Sequence, residues 1–230
     1  MIFTFGGSCS RIALEYGLLR QIANPDSPYD SPMIVQQDGE KVLITGVHSG
    51  PREIKKAVKG YLTMSNLFIG VGFVGALRED ISAGRMILPD KASDDFNGRR
   101  GNYYPGLSIN DRMNKLLGQI DSEPIYGSVY SIDCIRRETP ELVRRLQREG
   151  YLGIDMESSE FLSQTRGKRS FIILVVSENI TRDPIFNSDS DTCDGNRNRS
   201  LRLDNGTRIR MKQILDVAIH IAMGGNSKER

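Results

Sequence analysis

The feature that most constrains the fold is a strand, a glycine turn, a helix and a second strand that follow one another. Residues 41–45 (KVLIT) form an apolar run that ends at Gly46, and residues 66–74 (NLFIGVGFV) form a second run. Between them, Pro51 stands at a first helical position, and apolar residues recur after it at helical spacing. This order predicts two parallel strands joined by a right-handed helical crossover.

The same alternation continues down the chain. Residues 171–177 (FIILVVS) are the most apolar run, which is typical of a central strand buried on both faces. Polar stretches at residues 24–38 and 181–205 predict loops. The sequence therefore predicts one α/β domain over residues 1–230, with a mixed, mostly parallel central sheet flanked by helices. Further strands are expected at residues 125–131 and 152–156, and helices at residues 140–149, 157–166 and 209–222.

Composition excludes several classes of protein. The chain has 230 residues with 31 basic and 29 acidic side chains, and its net charge of +2 does not select nucleic acid or an acidic membrane. Apolar runs stay shorter than the roughly 20 residues of a membrane span, and the first residues lack the basic region of a secretory signal. Three cysteines, far apart in sequence, predict reduced thiols in a cytoplasmic protein and neither a disulfide framework nor a metal site.

The first apolar strand is followed by a glycine-rich turn that could hold an anion. Gly6 and Gly7 expose backbone N–H groups and Arg11 adds a guanidinium, and both kinds of donor suit phosphate oxygens. The turn is not a Walker A loop, because no Gly-Lys-Ser/Thr follows. The same residues also fit a tight turn with a solvated arginine, so both interpretations stay open.

Two acidic segments follow apolar strands farther along the chain. Asp155 and Glu157 open a helix, where the helix dipole favours carboxylates by about 0.3–1 kcal/mol. A carboxylate fixed there can instead accept hydrogen bonds from the two neighbouring hydroxyls of a ribose-like sugar. Glu178 ends the most apolar strand, where partial desolvation would favour delivery of a proton near neutral pH. A solvated surface carboxylate is the alternative for Glu178.

Taken in order, these segments resemble the nucleoside phosphorylase family, which includes purine nucleoside phosphorylases, uridine phosphorylases and methylthioadenosine/adenosylhomocysteine nucleosidases. Residues 7–11 (GSCSR) look like its Gly-Asp-Pro-x-Arg phosphate loop. Residues 69–89 resemble its glycine-rich strand and the strand that follows, and residues 129–136 (VYSIDCIR) resemble its Ser-x-Asp-x-Phe-Tyr stretch. Residues 154–158 (IDMES) are similar to its Val-Glu-Met-Glu-Ala segment, and residues 175–179 (VVSEN) to its Val-Ser-Asp segment.

The resemblance implies an enzyme that cleaves the N-glycosidic bond of a nucleoside, with phosphate as co-substrate and with neither a cofactor nor a metal ion. It implies that Glu157 binds the ribose hydroxyls, that Met156 packs under the sugar, and that Gly7 and Arg11 hold phosphate. Glu178 would help the departing base accept a proton. Family members assemble as dimers, trimers or hexamers, so the resemblance also implies a homo-oligomer.

Several positions depart from the family pattern. Gly70 stands where the phosphorylases carry an arginine, and Phe73 replaces a Ser or Thr phosphate donor. Ile135 stands at an aromatic position that stacks on the base, and we assign Ile135 and Phe73 to the base-binding region. Glu178 replaces the usual Asp, and the glutamate with which the nucleosidases activate water has no counterpart near Arg11.

These departures leave several functions open. Arg11 favours phosphorolysis to free base and pentose 1-phosphate. A hydrolytic nucleosidase is the alternative, and the loss of phosphate donors would also suit a protein that binds nucleosides without turnover. A modified nucleoside is a further candidate substrate, because the polar stretch at residues 181–205 could shape a base pocket.

Overall fold

Strands and helices alternate along the chain. A computed structural model describes residues 1–6, 9, 11–12, 33–37, 40–96, 98, 100–108, 110–121, 123–181 and 203–224. The strands are β1 (Ile2–Phe5), β2 (Met33–Gln37), β3 (Glu40–Val47), β4 (Leu67–Ala76), β5 (Met86–Asp94), β6 (Gly101–Tyr103), β7 (Ile125–Ser131), β8 (Gly153–Asp155) and β9 (Arg169–Asn179). The helices are α1 (Pro51–Tyr61), α2 (Asp111–Gly118), α3 (Pro140–Arg148), α4 (Ser158–Gln164) and α5 (Asn205–Gly224), with a 3₁₀ turn at Ile135–Arg137.

The described strands form one sheet, part of which closes on itself. β3, β1 and β4 lie side by side and parallel, and β2 pairs antiparallel with β3. β4 also pairs with β8 and β9, β9 with β5, β5 with β7, and β7 with β8, so these five strands form a closed ring. β6 extends the ring from β5. The mixed, mostly parallel sheet is confirmed, whereas no pattern in the sequence predicts the closure.

The predicted strand–helix–strand unit is confirmed. α1 begins at Pro51, and proline suits this position because the N–H that it lacks would have no partner within the helix. Gly50, immediately before it, has a φ of 108°, a conformation that favours glycine. The crossover joins β3 to β4, both of which lie parallel to β1 between them.

β9 is buried on both faces, as its sequence predicts. Phe171 and Ile173 pack in a cluster that includes residues of α5, whereas Ile172 and Leu174 pack in a second cluster with residues of α1 and α4. Full burial of such a side chain contributes about 1.5–3 kcal/mol. β9 therefore holds the two helical layers against the sheet, and its carboxyl end has a fixed position.

The structure corrects the expected loop at residues 24–38. Met33–Gln37 forms β2 at the edge of the sheet, where it pairs with β3 through backbone groups. The sequence also did not predict α2, a short helix that Asn110 caps by accepting a hydrogen bond from the Met113 N–H at 3.0 Å. Residues 182–202 of the second expected loop lie outside the described residues.

The cysteines differ from one another in state. Cys9 is a free thiol that is fully buried, and burial raises its pKa. Cys134 is disulfide-bonded, so the prediction of reduced thiols is wrong for this residue. The sequence separation of cysteines does not fix their distance in the fold, which is what decides whether two of them can pair. Cys193 lies outside the described residues.

Replacing Gly106 by alanine is expected to destabilise the fold by about 1–3 kcal/mol, because the added carbon has no room. A Cβ at Gly106 would lie 1.9 Å from the backbone oxygen of Lys168, so the backbone itself must move. Urea unfolding of the variant measures the loss. Gly118→Ala is the matched control: a Cβ there meets nothing within 4 Å, and stability should hold or rise slightly. Equal stability of the two variants would contradict the packing.

Candidate active site

The carboxyl ends of β1, β3, β4 and β9 meet at one edge of the sheet, because these four strands are parallel. Gly75, near the end of β4, pairs with Ile154 of β8 on one side and with Glu178 of β9 on the other. Neighbouring strands are about 4.8 Å apart, which places the backbones of Ile154 and Glu178 roughly 10 Å from each other. The two acidic segments that the sequence singles out therefore lie at the same edge.

Glu157 is a buried carboxylate held by backbone donors from two directions. Glu157 is only 7% exposed. The Gly50 N–H donates to Glu157 Oε1 at 2.9 Å, and the Met156 N–H donates to Oε2 at 3.2 Å. Each carboxylate oxygen can accept a second hydrogen bond. Glu157 is thus fixed in direction and still has acceptor capacity beyond these two bonds.

Burial controls the charge of the Glu157 carboxyl group. Removal from water raises its pKa, and the Asp155 carboxylate next to it raises the pKa further. The pKa of Asp155 is raised as well, chiefly by burial, although hydrogen bonds from Ser131 and Ser158 oppose the change. Two neighbouring buried acids favour either protonation of one of them or a positively charged group beside them. Such a pair suits a ligand that becomes cationic during reaction.

The raised pKa of Glu157 makes stability depend on pH. A group whose pKa is higher in the folded chain than in the unfolded chain makes its full contribution to stability below its ordinary pKa, which is 4.5 for Glu157. That contribution is lost as the pH rises through the pKa of the folded state. Between about pH 5 and about pH 8, Glu157→Gln should therefore lose less stability than the wild type in urea unfolding. Glu141→Gln, an exposed change on α3, should keep the wild-type dependence. Parallel curves for Glu157→Gln and wild type would refute the expectation.

Serine side chains anchor Asp155. The Ser131 hydroxyl donates to Asp155 Oδ1 at 2.6 Å, and the Ser158 N–H donates to Oδ2 at 3.2 Å. The Ser158 hydroxyl donates to the same carboxylate, and Ser131 Oγ accepts from the Ser159 N–H at 3.0 Å. These bonds tie β7, β8 and α4 together and fix the backbone that carries Glu157. Sequence reasoning missed Ser131, although its place at the end of a predicted strand was a usable signal.

The turn after β3 joins the first strand to the acidic segment. A Cβ built on Gly6 would lie 3.1 Å from Ser49 Oγ, and a Cβ built on Gly50 would lie 3.9 Å from Met156 Cε. The Ser49 side chain also hydrogen-bonds the Glu157 carboxylate. The start of the predicted phosphate turn and the predicted sugar segment thus meet around Ser49, a residue that sequence reasoning placed at this mouth without a role.

A β-bulge sets the direction of Glu178. Val74 pairs with Val176 but Gly75 pairs with Glu178, so Ser177 is an extra residue in β9. The Ser177 hydroxyl donates to the Val74 carbonyl oxygen at 3.3 Å. Without the bulge, Glu178 would take the opposite face of the sheet. With it, half-buried Glu178 shares a face with half-buried Phe73, which pairs with Val175.

The remaining predicted residues lie near the same edge or outside the residues that the structure describes. Ile135 follows β7 in the 3₁₀ turn and is 39% exposed. Arg11 has helical backbone and an exposed side chain, next to buried Ile12. Gly7 lies outside the described residues. The structure therefore places Met156, Glu157, Phe73 and Glu178 at the same edge of the sheet, and it relates the phosphate turn to Glu157 through Gly6 and Ser49.

Gly70 shows why an arginine does not stand at that position. A Cβ built on Gly70 would lie 2.5 Å from Phe5 Cζ, and one built on Gly72 would lie 2.8 Å from Phe5 Cδ2. The Phe5 ring packs edge-on against Phe161 of α4, with the ring centroids 5.3 Å apart. Phe5 therefore fills the space beside β4, and any phosphate held here must rely on other donors.

The described ranges of the chain contain neither a metal-binding cluster nor a helix that could span a membrane. No group of three His, Cys, Asp or Glu side chains there is arranged to hold a metal ion. Within the same ranges, every helix is too short or too polar to cross a lipid bilayer.

Comparison with known proteins agrees with this geometry. Residues 30–206, more than half of the chain, match the model of a family described as the phosphorylase superfamily. The chain belongs to this superfamily.

Purine nucleoside phosphorylase DeoD-type 2 of Vibrio cholerae is 26% identical over 130 residues, which cover 53% of this chain and 55% of the relative. A DeoD-type purine nucleoside phosphorylase of Psychromonas ingrahamii is 26% identical over 145 residues, 59% of this chain and 61% of the relative. The chain spans little more than half the length of these curated relatives.

Solved structures of a nucleosidase and a phosphorylase share the fold over nearly the whole chain. The 5′-methylthioadenosine/S-adenosylhomocysteine nucleosidase of Helicobacter pylori superposes with a TM-score of 0.71 at 10% identity, covering 95% of this chain and 97% of the other. Uridine phosphorylase of Vibrio fischeri gives a TM-score of 0.70 at 19% identity, covering 95% and 90%. The predicted α/β fold of the nucleoside phosphorylase type is thereby confirmed, and its neighbours include both phosphorylases and nucleosidases.

Proposed function

We propose that this member of the phosphorylase superfamily cleaves the N-glycosidic bond of a nucleoside at the edge formed by β3, β4, β8 and β9. The observation that carries the proposal is Glu157: a buried carboxyl group, oriented by the Gly50 and Met156 N–H groups, with acceptor capacity that its protein partners do not use up. Neighbouring sugar hydroxyls are the donor pair that such an acceptor fits. Met156 beside Gly50 supplies an apolar contact under the ring.

The chemistry follows from the charge that develops on the sugar. Cleavage of an N-glycosidic bond passes through a sugar with cationic character. Positive charge that develops there favours the ionised forms of buried Asp155 and Glu157, which stabilise it electrostatically. The base leaves with the bonding electrons and needs a proton. Glu178, on the face shared with Phe73, is the group that we propose delivers it. General acid assistance of this kind is worth about 10²–10⁴-fold in rate.

We propose phosphorolysis as the reaction, giving free base and pentose 1-phosphate. Phosphate would be held by the turn after β1, with Gly7 and Arg11 as donors, beside Ser49. The curated relatives named purine nucleoside phosphorylase support this choice. An anionic nucleophile held next to a cationic sugar lowers the barrier, because attraction between the two grows as the bond breaks.

A panel of nucleosides tests the reaction directly. Purified protein is incubated with adenosine, inosine, guanosine, uridine and methylthioadenosine, with and without inorganic phosphate, and free base is measured by chromatography. Release that requires phosphate supports phosphorolysis. Release that is independent of phosphate would replace phosphorolysis by hydrolysis, and release from none of the nucleosides would overturn the proposed activity.

A nucleoside-binding protein without turnover is the second candidate, and one observation favours it. Phe5 fills the space beside Gly70, so an arginine cannot contribute to phosphate binding there. Thermal unfolding with each nucleoside separates the two functions, because a ligand that binds only the folded state raises the unfolding temperature. Stabilisation by a nucleoside that is never cleaved, with or without phosphate, would favour binding alone.

A further inference from the structure

A cavity of about 290 Å³ lies at the end of the sheet opposite the candidate active site. Its floor includes Leu88 of β5 and Phe171 of β9, both almost fully buried. Phe171 stands seven residues before Glu178 on β9, and at about 3.3 Å per residue the cavity is roughly 20 Å from that acid. The cavity is therefore a separate site, independent of the proposed nucleoside cleavage.

One wall of this cavity is a loop pressed against the start of β9. The Leu107 N–H donates to the Ser170 carbonyl oxygen at 3.1 Å, and the Gly106 N–H donates to Ser170 Oγ at 3.3 Å. The approach at Gly106 is so close that a Cβ would overlap the Lys168 carbonyl oxygen. Leu107 and the residues beside it thus form a wall that exists before any ligand arrives.

Asp90 is directed to this cavity by a second β-bulge. Pro89 pairs with Gly127 and Lys91 pairs with Ser128, so Asp90 is an extra residue in β5. Its Oδ1 accepts from the Ser128 hydroxyl at 3.3 Å. The carboxylate keeps further acceptor capacity. Among the described residues that line the cavity, Asp90 alone carries a charge, so the lining is anionic.

Two exposed tyrosine rings stand at the cavity. Tyr104 is 65% exposed and Tyr126 is 50% exposed, values that are unusual for large aromatic side chains. The Tyr126 hydroxyl donates to Asn114 of α2, which fixes the ring. Aromatic faces attract cations, and the attraction is modest at exposed rings such as these.

We propose that this cavity binds a small organic cation, an ammonium group carried on an apolar body. The ammonium would bind Asp90 and face the rings of Tyr104 and Tyr126, while the apolar body packs on Leu88 and Phe171. The volume is at the lower limit of the range of about 300–1,000 Å³ seen for ligand sites, which suits a single ring with a short side chain. Anions are disfavoured, because the only charge in the described lining repels them.

Three probes that differ mainly in charge test the proposal: 2-phenylethylamine, 2-phenylethanol and 3-phenylpropionate. Binding to the full chain is measured by calorimetry. The amine should bind about tenfold more tightly than the alcohol, because only the amine can form a charge-assisted hydrogen bond to Asp90, and the acid should bind more weakly than either. Asp90→Asn should weaken the amine about tenfold and leave the alcohol unchanged. Asp111→Asn, an exposed charge change on α2, should leave both unchanged.

Several results would overturn the site. They are equal affinity of the amine for wild type and Asp90→Asn, equal binding of amine and alcohol, and displacement of the amine by a nucleoside. Tyr104→Ala provides an independent variant, because its exposed side chain can be removed without touching the core, and it should weaken the amine as well. Sedimentation with and without the amine tests whether a second copy of the chain occupies this face instead. A dimer that Tyr104→Ala dissociates would show that the face is a subunit contact and would overturn the ligand site.

Discussion

Replacing Glu157 by alanine is expected to lower kcat/KM for nucleoside cleavage by about 10²–10⁴-fold. Above about pH 8, where the Glu157 carboxyl group is ionised, two sugar hydroxyls would lose a charged acceptor, and each hydrogen bond to a charged group is worth about 1.5–3 kcal/mol. The Gly50 and Met156 N–H groups would lose their partner as well, so the turn that positions Met156 would also loosen. Steady-state kinetics on the best nucleoside of the panel measure the loss, with thermal unfolding run alongside to show that the variant folds.

Glu141→Ala is the matched control for this change. Glu141 is exposed on α3, so removal of its carboxylate changes the net charge equally without affecting the site. Wild-type kcat/KM in the control and a large loss in Glu157→Ala would support the sugar contact. A folded Glu157→Ala protein with unchanged kcat and KM would rule out that role.

Local patterns were enough to predict most of the elements. Apolar runs predicted β3, β4, β7 and β9, and the start of α1 followed from Pro51. These elements share a strong period or a clear terminator, which act within a few residues of sequence. β2 was missed because an edge strand is defined by the neighbour with which it pairs, which a local window does not contain.

The arrangement of the site depended on contacts distant in sequence. The sequence located Glu157 and Glu178 at strand ends, but the parallel-strand rule does not explain why they share an edge, because β8 runs antiparallel to β4 whereas β9 runs parallel to it. The sequence could not show that Gly50 holds Glu157, a contact across 107 residues. Nor could it show the bulge at Ser177, because a bulge is a property of the pairing between β4 and β9 and leaves no pattern in β9 alone. The closure of five strands into a ring is likewise a matter of pairing.

Substitution of Glu178, which the bulge at Ser177 directs to the face of Phe73, is the second change expected to have a large effect on kcat. Glu178→Gln keeps the size of the side chain but removes its ability to give up a proton, so kcat should fall by about 10²–10⁴-fold if the residue protonates the departing base. KM should change little, since the sugar contacts at Glu157 remain. The loss should be smaller for a nucleoside whose base leaves readily without a proton, and the pH profile of kcat should lose the limb that belongs to this acid.

Glu160→Gln provides the control for Glu178→Gln, since Glu160 is also half-buried but bonds to Gln164 on α4 at 2.7 Å. Its kcat should stay near the wild-type value. Glu178→Asp extends the test, because it keeps the acid and shortens it by one methylene. If Glu178 acts through proton transfer, Glu178→Asp should retain far more activity than Glu178→Gln. Equal losses in these two variants would mean that the position of the side chain matters and its proton does not, and the leaving-group role would have to pass to another residue.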